Sequence, residues 1–195
     1  GSFVDAGADT WTAHADYGDG SGTQVLLAIN EDKTFFLNKT YADDGEYAVI
    51  VTVFDDDGGV GSQSTTVVVH NVAPAFELGE DFNADDSGAF VLAGEFTDPG
   101  DDTWTATVNY GDGTGEQPLP LVEKTFELNY TFAAAGTYAV TVTIADEDGG
   151  VSQDMVAVTS NNAAPSVVFP ASPSGVEGQD TVISGSFTDP GVGPW

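Results

Sequence analysis

The stretch Tyr138-Ala-Val-Thr-Val-Thr-Ile-Ala-Asp-Glu-Asp-Gly-Gly150 recurs with few changes 91 positions upstream, as Tyr47-Ala-Val-Ile-Val-Thr-Val-Phe-Asp-Asp-Asp-Gly-Gly59. In both copies apolar residues alternate with a period of two, which is the pattern of a β-strand with one buried face. The alternation ends at three acidic residues followed by two glycines, which predict a tight turn. The chain is therefore a tandem repeat of β-rich units.

The composition limits the partners that such a chain can have. Asp and Glu number 32 against three Lys and Arg, which gives a net charge of −29. Nucleic acids and anionic membrane surfaces would be repelled, whereas cations would be attracted. The sequence has no cysteine, so it forms no disulfide and no thiolate metal site. It also has no apolar run long enough to span a membrane, so we expect no membrane insertion.

Further phrases recur at nearly the same spacing. The phrase at residues 3–11 returns at residues 96–104 and at residues 187–195, so the sequence begins and ends at the same phase of its repeat. No segment has a sustained helical period, and we predict an all-β chain. Apart from the two copies of the opening stretch, the predicted strands cover residues 12–17, 33–41, 60–70, 75–78, 89–97, 105–110, 124–132, 151–160, 166–169 and 181–188.

Short Asn/Pro linkers at residues 71–74 and 161–165 separate the copies. We therefore predict three units: residues 1–72, which lack the first two strands; residues 73–163, which are complete; and residues 164–195, which hold only the first two strands of a third unit. About seven short strands in a unit of this size, with regular turn signals, are typical of an immunoglobulin-like sandwich. The expected fold is a tandem of such β-sandwiches.

The middle unit resembles the polycystic-kidney-disease (PKD) domain family. The resemblance rests on Tyr110-Gly-Asp-Gly113, on the strand that begins at Tyr138 with the pattern Tyr-x-Val-x-Val, and on the acidic Asp-Gly-Gly turn. It covers the middle unit and the first unit from Phe3 onward, although the Trp-Asp-Phe usual before Gly-Asp-Gly is absent. It implies an extracellular spacer or adhesive module, found in tandem in bacterial and archaeal surface proteins, some of which bind calcium at the domain joint.

A calcium site is predicted where the turns after residues 98 and 146 and the linker at residue 71 meet at one end of the sandwich. Carboxylate and carbonyl oxygens are the ligands that Ca²⁺ prefers. The alternative is that these are solvated turn acids, since Asp-Gly is ordinary turn chemistry. The candidate ligands are Asn71, Asp98, Asp101, Asp146 and Asp148, with Asp5, Asp9, Asp55 and Asp57 at the equivalent end of the first unit and Asp189 in the third.

The sequence contains two N-glycosylation sequons, and both fall at the same repeat position. They begin at Asn38 and Asn129, 91 residues apart. We predict that glycans can be attached there in a glycosylating host. The alternative is that each Asn is simply an outward polar residue of a strand.

No catalytic constellation is evident. His14 and His70 occupy unrelated repeat positions, have no partner pattern and are expected to be exposed, so we predict that the protein is not an enzyme. Trp11 and Trp104 are expected to pack in the core or line a joint. The alternative function is a carbohydrate- or protein-binding accessory module of a secreted enzyme, with a glycan or a cell-surface ligand as its partner.

The phase of the repeat also predicts an assembly. The first unit should leave apolar faces and a strand edge in water, and residues 165–195 carry the two strands that it lacks. We therefore expect neighbouring copies of the repeat to join head to tail, either by strand addition between chains or as one continuous polypeptide. Both cases give an extended array or filament at the cell surface.

Overall fold

A computed structural model describes residues 1–26, 29–85, 89–171 and 173–189. These residues form strands, turns and extended segments without any helix, which confirms the predicted all-β class. Consequently, the described part of the chain has no helix that is long and apolar enough to cross a membrane. Trp195, the last residue of the third repeat phrase, lies outside the described residues.

The chain divides into two compact units. The first comprises Gly1–Val72 together with Pro99–Asp102, and the second comprises Ala73–Asp98 together with Thr103–Trp195.

The second unit contains an immunoglobulin-like sandwich of two sheets. Its strands are β5 (Phe82–Asp85), β6 (Phe90–Glu95), β7 (Trp104–Asn109), β8 (Glu116–Pro118), β9 (Leu121–Val122), β10 (Thr125–Tyr130), β11 (Gly136–Asp146) and β12 (Val151–Asn161). One sheet has the order β6-β10-β9 and the other β5-β12-β11-β7-β8. Strand β5 pairs with β12 in parallel, whereas the other ladders are antiparallel.

The alternating residues of β11 form the centre of this sandwich. Val140, Val142 and Ile144 have no exposed surface, and they share one core with Phe90 and Leu128 of the opposite sheet. Their intervening neighbours are half-buried or exposed. The period of two in the sequence thus becomes a buried face in the second unit.

The opening of the second unit differs from the prediction. Residues 75–78 do not form a strand, because only Ala75 pairs with the chain, through an isolated bridge to Thr97. The predicted strand at residues 89–97 is shorter, as β6, and β5 was not predicted. β5 carries no clear alternation in its four residues and is defined by its parallel partner β12.

The first unit has four strands, which are β1 (Trp11–Asp16), β2 (Gln24–Leu26), β3 (Gly45–Asp55) and β4 (Val60–Val69). They form one sheet in the order β2-β1-β3-β4. Its buried cluster consists of Ala15, Tyr17 and Val49, whereas the second unit buries fifteen residues in its core. Val51 and Val53, which repeat Val142 and Ile144, are only half-buried.

The prediction of a strand at residues 33–41 is wrong. Only Thr34 and Phe35 make isolated bridges there, although the repeat of this segment forms β10. β10 exists because it pairs along its whole length with β6. The described residues offer the segment at residues 33–41 no counterpart of β6 along its length, and it therefore has almost no ladder partner.

The last two strands are also shorter than predicted. They are β13 (Ser166–Val168) and β14 (Ser186–Thr188), which pair with each other as Ala75 pairs with Thr97 one repeat earlier. Residues 181–185 form no strand, because the described residues offer them no counterpart of β10 to pair with. All residues of β13 and β14 are exposed.

Candidate functional site

A cluster centred on Trp104 occupies one end of the second unit. The backbone of Trp104 lies opposite Asp146 in the ladder, and its indole N–H donates a hydrogen bond to Oδ2 of Asp98 at 2.9 Å. Lys124 lies over the ring with Nζ 4.5 Å from the centroid and donates to the carbonyl oxygen of Asp98 at 2.7 Å. Phe96 packs edge-on against the same ring. We call this the Trp cluster.

The first unit contains the same Trp cluster at the same repeat positions. Trp11 lies opposite Asp55 and donates its indole N–H to Oδ2 of Asp5 at 2.7 Å. Nζ of Lys33 lies 4.7 Å from the ring centroid and donates to the carbonyl oxygen of Asp5 at 2.5 Å. The ring of Phe3 again packs edge-on against the indole. Trp104 packs against the core of the second unit, as the sequence predicted, whereas Trp11 is half-buried and lies outside the core cluster of the first unit.

The acidic turn after β11 is closed by the first of its acids. The carboxylate of Asp146 accepts a hydrogen bond from Gly150 N–H at 2.6 Å, and Asp146 N–H donates to the Gly150 carbonyl at 3.0 Å. Gly149 has a φ of +93°, which explains a glycine at that position. Asp55 and Gly59 make the same contacts in the first unit. The carboxylates of Asp55 and Asp146 therefore stabilise these turns whether or not a cation is bound.

The acids differ in burial. Asp98, Asp102 and Asp146 are buried, whereas Asp148 and Asp57 are exposed. Among the remaining predicted ligands, Asn71, Asp9 and Asp189 are half-buried, and Asp101 is exposed, with its N–H donating to the carbonyl oxygen of Ala42 at 3.0 Å. The convergence of linker and loops on one cation stays a prediction.

Electrostatics separate two acids at the end of the first unit. Hydrogen bonds from the Trp11 indole and from Gly7 N–H hold the pKa of Asp5 below its usual value. Partial burial, followed by the negative charges of Asp5 and of the three acids of the 55–57 turn, raises the pKa of Asp9. The structure therefore brings Asp9, Asp5 and that turn close to one another in the first unit. Such a group of carboxylates favours a cation.

A second cluster lies at the Gly-Asp-Gly turn and was not predicted. In the second unit the hydroxyl of Tyr130 donates to the carboxylate of Asp112. In the first unit Lys39 stands in place of Tyr130 and forms an ion pair with Asp19, the repeat of Asp112. These contacts lower the pKa of both acids, with the Tyr130 hydrogen bond and the Lys39 hydrogen bond as the largest causes.

The histidines lie apart on the first unit. His70 is exposed after β4, as predicted, but the prediction for His14 is wrong: it is half-buried, and its ring centroid lies 5.2 Å from that of Phe54. The strand β1 directs His14 to the face of the sheet that Phe54 covers. Asn38 and Asn129, the sequon residues, are both exposed.

Sequence reasoning missed the two lysines of the Trp clusters. A signal was present, because the chain has three basic residues and two of them, Lys33 and Lys124, occupy the same repeat position. In a chain of net charge −29, two cations at one repeat position indicate a fixed partner. The structure identifies that partner as the Trp ring and the Asp carbonyl.

Comparison with known proteins gives one family match. Residues 71–160 match the family model of the PKD domain. A comparison with curated protein sequences gave no match.

Several solved structures are similar in fold. A tetra-tandem repeat from the extending region of a large adhesion protein has 15% identity and a TM-score of 0.43, and the match covers 95% of this chain and 56% of that one. The fibronectin(III)-like modules of Clostridium thermocellum CbhA have 16% identity, 81% and 82% coverage and a TM-score of 0.37. A structure of a 1.5-MDa bacterial ice-binding adhesin has 15% identity and a TM-score of 0.33, and the match covers 86% of this chain and 58% of that one. The chain thus spans little more than half of the two adhesion-protein structures.

Proposed function

We propose that this chain is a non-catalytic run of repeat domains from an extracellular surface protein, acting as a structural spacer or adhesive module, because residues 71–160 match the PKD domain model and residues 3–72 repeat the same motifs. The observation that carries the proposal is the Trp cluster, which is built in the same way in both units. Its polar atoms are engaged in hydrogen bonds that hold the fold, which favours a structural role.

The test of the non-catalytic part is an assay with glycan and peptide substrates. We expect no turnover, because His14 packs on Phe54 and His70 lies beyond the end of β4. Turnover that disappears in His14→Ala or His70→Ala would contradict the proposal.

We further propose that Ca²⁺ binds at the Trp-cluster end and stiffens the joint between units. The donor set suits the ion, since the acids there offer oxygen ligands and Asp98 and Asp146 are buried. Asp98, Asp101, Asp146 and Asp148 would hold it, with a carbonyl from the linker at Asn71. The equivalent residues of the first unit and Asp189 would serve neighbouring joints.

Calorimetry tests the calcium proposal. Ca²⁺ should raise the Tm relative to a chelator, because an ion bound only by the folded state stabilises it by mass action. The variant Asp146→Asn/Asp148→Asn should lose this shift. The control Glu116→Gln/Glu127→Gln removes the same charge from strands β8 and β10 and should keep it. Equal Tm values with calcium and chelator, and equal interdomain flexibility in scattering, would contradict the site.

We also propose that the units continue as a head-to-tail array, either within one polypeptide or between chains. The thin core of the first unit supports this, since Phe36 is 86% exposed and Val51 and Val53 are only half-buried. An apolar face of this kind is normally covered.

Glycans on Asn38 and Asn129 fit the same setting, because both side chains are exposed. Expression in a glycosylating host should add mass that the Asn38→Gln/Asn129→Gln variant lacks. An unchanged mass in that host would contradict this assignment.

A further inference from the structure

The first unit has a cleft of about 470 Å³ beside its sheet. The half-buried Val51 and Val53 of β3 line it together with residues of the N-terminal stretch and of β4. The residues that line it include Val4, Phe35, Gly59, Gly61 and Gln63.

In the second unit, residues 74–78 occupy the corresponding position. Ala75 and Thr97 exchange two backbone hydrogen bonds, of 2.8 and 2.9 Å, and Leu78 N–H donates to Oδ2 of Asp154 at 2.7 Å. Thr97 and Asp154 are the repeats of Val4 and Gln63. The backbone of the opening segment is therefore fixed at both ends by counterparts of cleft residues.

The second-unit repeats of the other three cleft positions contact residues 73–76. The Ser152 hydroxyl donates to the Pro74 carbonyl, the rings of Phe76 and Phe126 meet edge-on at 6.0 Å, and Gly150 lies against Ala73, so closely that a Cβ on it would come within 2.8 Å. Their first-unit repeats are Gly61, Phe35 and Gly59 respectively. All five cleft positions thus correspond to positions that hold the opening segment in the second unit.

The chain contains a third version of that segment at residues 165–169. Pro165, Val167 and Phe169 repeat Pro74, Phe76 and Leu78. In the second unit Pro74 and Leu78 are buried, whereas Val167 and Phe169 are 62% and 65% exposed. A segment with the right pattern therefore lies in water while a cleft with the matching positions lies open.

We propose that residues 165–169 of a second copy of this chain fill the cleft of the first unit, in the register that residues 74–78 have in the second unit. This rests on the proposed head-to-tail array and names its contact. Ser166 pairs with Val4, Val167 and Phe169 enter the cleft, and Phe169 N–H donates to the side-chain oxygen of Gln63. The contact is heterologous, so association continues without closing.

The strand at residues 186–188, which follows this segment, cannot dock on the first unit together with it, because the first unit already contains its own repeat of those residues. Residues 185–188 repeat residues 1–4, and residues 1–4 are already in position, because Gly1 and Phe35 exchange hydrogen bonds of 2.8 and 2.9 Å. Ser166 currently pairs with Thr188 of its own chain, the repeat of Val4. Docking therefore replaces the Ser166–Thr188 pairing with its equivalent and breaks the Val167–Phe187 and Val168–Ser186 pairings of β13 and β14. In return it buries Val167 and Phe169.

The net charge of the chain should make the association depend on the salt concentration. Two chains of net charge −29 repel each other at long range, so association should strengthen as monovalent salt is added. We expect sedimentation velocity of the full chain in salt to show a concentration-dependent series of oligomers. A chain that stays monomeric at all concentrations and salt levels would overturn the proposal.

Two variants, one in the segment and one in the cleft, locate the contact. Phe169→Asp should abolish association, whereas Val182→Asp, at a residue 91% exposed in the same C-terminal segment, should retain it. Gly61→Phe should also abolish association, because a Cβ at Gly61 meets no atom within 4 Å and the new ring extends into the cleft. Mixing Phe169→Asp with Gly61→Phe leaves one intact segment and one intact cleft, so it should give a 1:1 dimer that does not grow. Association that survives in both variants would overturn the proposal.

A disulfide tests the register, since the chain has no cysteine of its own. Hydrogen-bonded antiparallel partners have Cα atoms about 5.5 Å apart, which suits a disulfide. Val4→Cys/Ser166→Cys should therefore give a ladder of covalent oligomers on oxidation. A monomeric product alone would overturn the register. If no covalent oligomers form while the calcium-dependent Tm shift persists, this contact is refuted and the proposed function still stands.

Discussion

At the scale of single residues, the two units use different donors to stabilise the Asp of the Gly-Asp-Gly turn. The Asp of each Gly-Asp-Gly turn lies beside a strand end, where Tyr130 donates a hydroxyl to Asp112 and Lys39 makes an ion pair with Asp19. In both units the pKa of the Asp is lowered by that partner. The repeat therefore keeps the acid and changes the donor.

Tyr130→Phe tests this contact. The pKa of Asp112 is lowered in the folded state, so its stabilisation is present above the ordinary Asp pKa of about 3.9 and is lost as the pH falls through the folded value. The variant should lose about 1 kcal/mol near pH 6, since the pair is partly in solvent, and little near pH 2. Thermal unfolding at both pH values measures it.

Tyr138→Phe is the matched control for that measurement. The Tyr138 hydroxyl donates to the Ala134 carbonyl at 2.8 Å, and a carbonyl does not titrate in this range. Its loss should cost the same at both pH values. If Tyr130→Phe showed the same pH-independent loss, the assigned role of Asp112 would be wrong.

At the scale of elements, a strand depends on its neighbour as much as on its own sequence. Residues 33–41 and β10 share the alternation of Phe and Leu that favours a strand, yet only β10 has a partner along its whole length. β3 and β11 show the same dependence in their side chains, because Val51 is half-buried where Val142 has no exposed surface. Packing context overrides local propensity in both cases.

The pair Val142→Ala and Val51→Ala measures this difference. Val142→Ala should destabilise the second unit by about 2 to 3 kcal/mol, through lost burial and a cavity in a closed core. Val51→Ala should cost the first unit less than about 1 kcal/mol, because water already reaches that face. Amide hydrogen exchange reads the two units separately, and equal costs would contradict the open core.

The sequence predicted the parts of the fold that are local. The period of two, the glycine turns and the repeat spacing located β3 and β11 and the acidic turns after them. Sequence reasoning failed where pairing decides, since it cannot show that the segment from Lys33 lacks its ladder or that β5 lies parallel to β12. It named Asp5 and Asp98 as site acids but missed the lysines that hold them, because their bonds go to backbone oxygens of distant residues.

At the scale of the whole molecule, the first unit has a much smaller buried cluster than the second. Gly1 stands at the position of Gly94, so residues 71–93 are the part of a complete unit that would precede it. If the open face of the first unit arises only from their absence, then adding them in cis should close it. That expectation separates an incomplete unit from one that is intrinsically loose.

A chimera with residues 71–93 placed directly before Gly1 tests this. The insert supplies the repeats of Phe90 and Leu92, which pair with Tyr130 and Leu128 in the second unit, so the segment from Thr34 to Lys39 should gain a ladder and slow amide exchange. The Tm of the first unit should rise by an amount on the order of 10 °C, since a gain of about 2 kcal/mol shifts a small domain by that much. The insert also fills the cleft, so association between chains should disappear.

The same chimera with Leu78→Asp in the insert is the control, because it adds equal length but places a charge where the second unit buries Leu78. Fast exchange at residues 35–39 and an unchanged Tm in the first chimera would show that the first unit is loose for another reason.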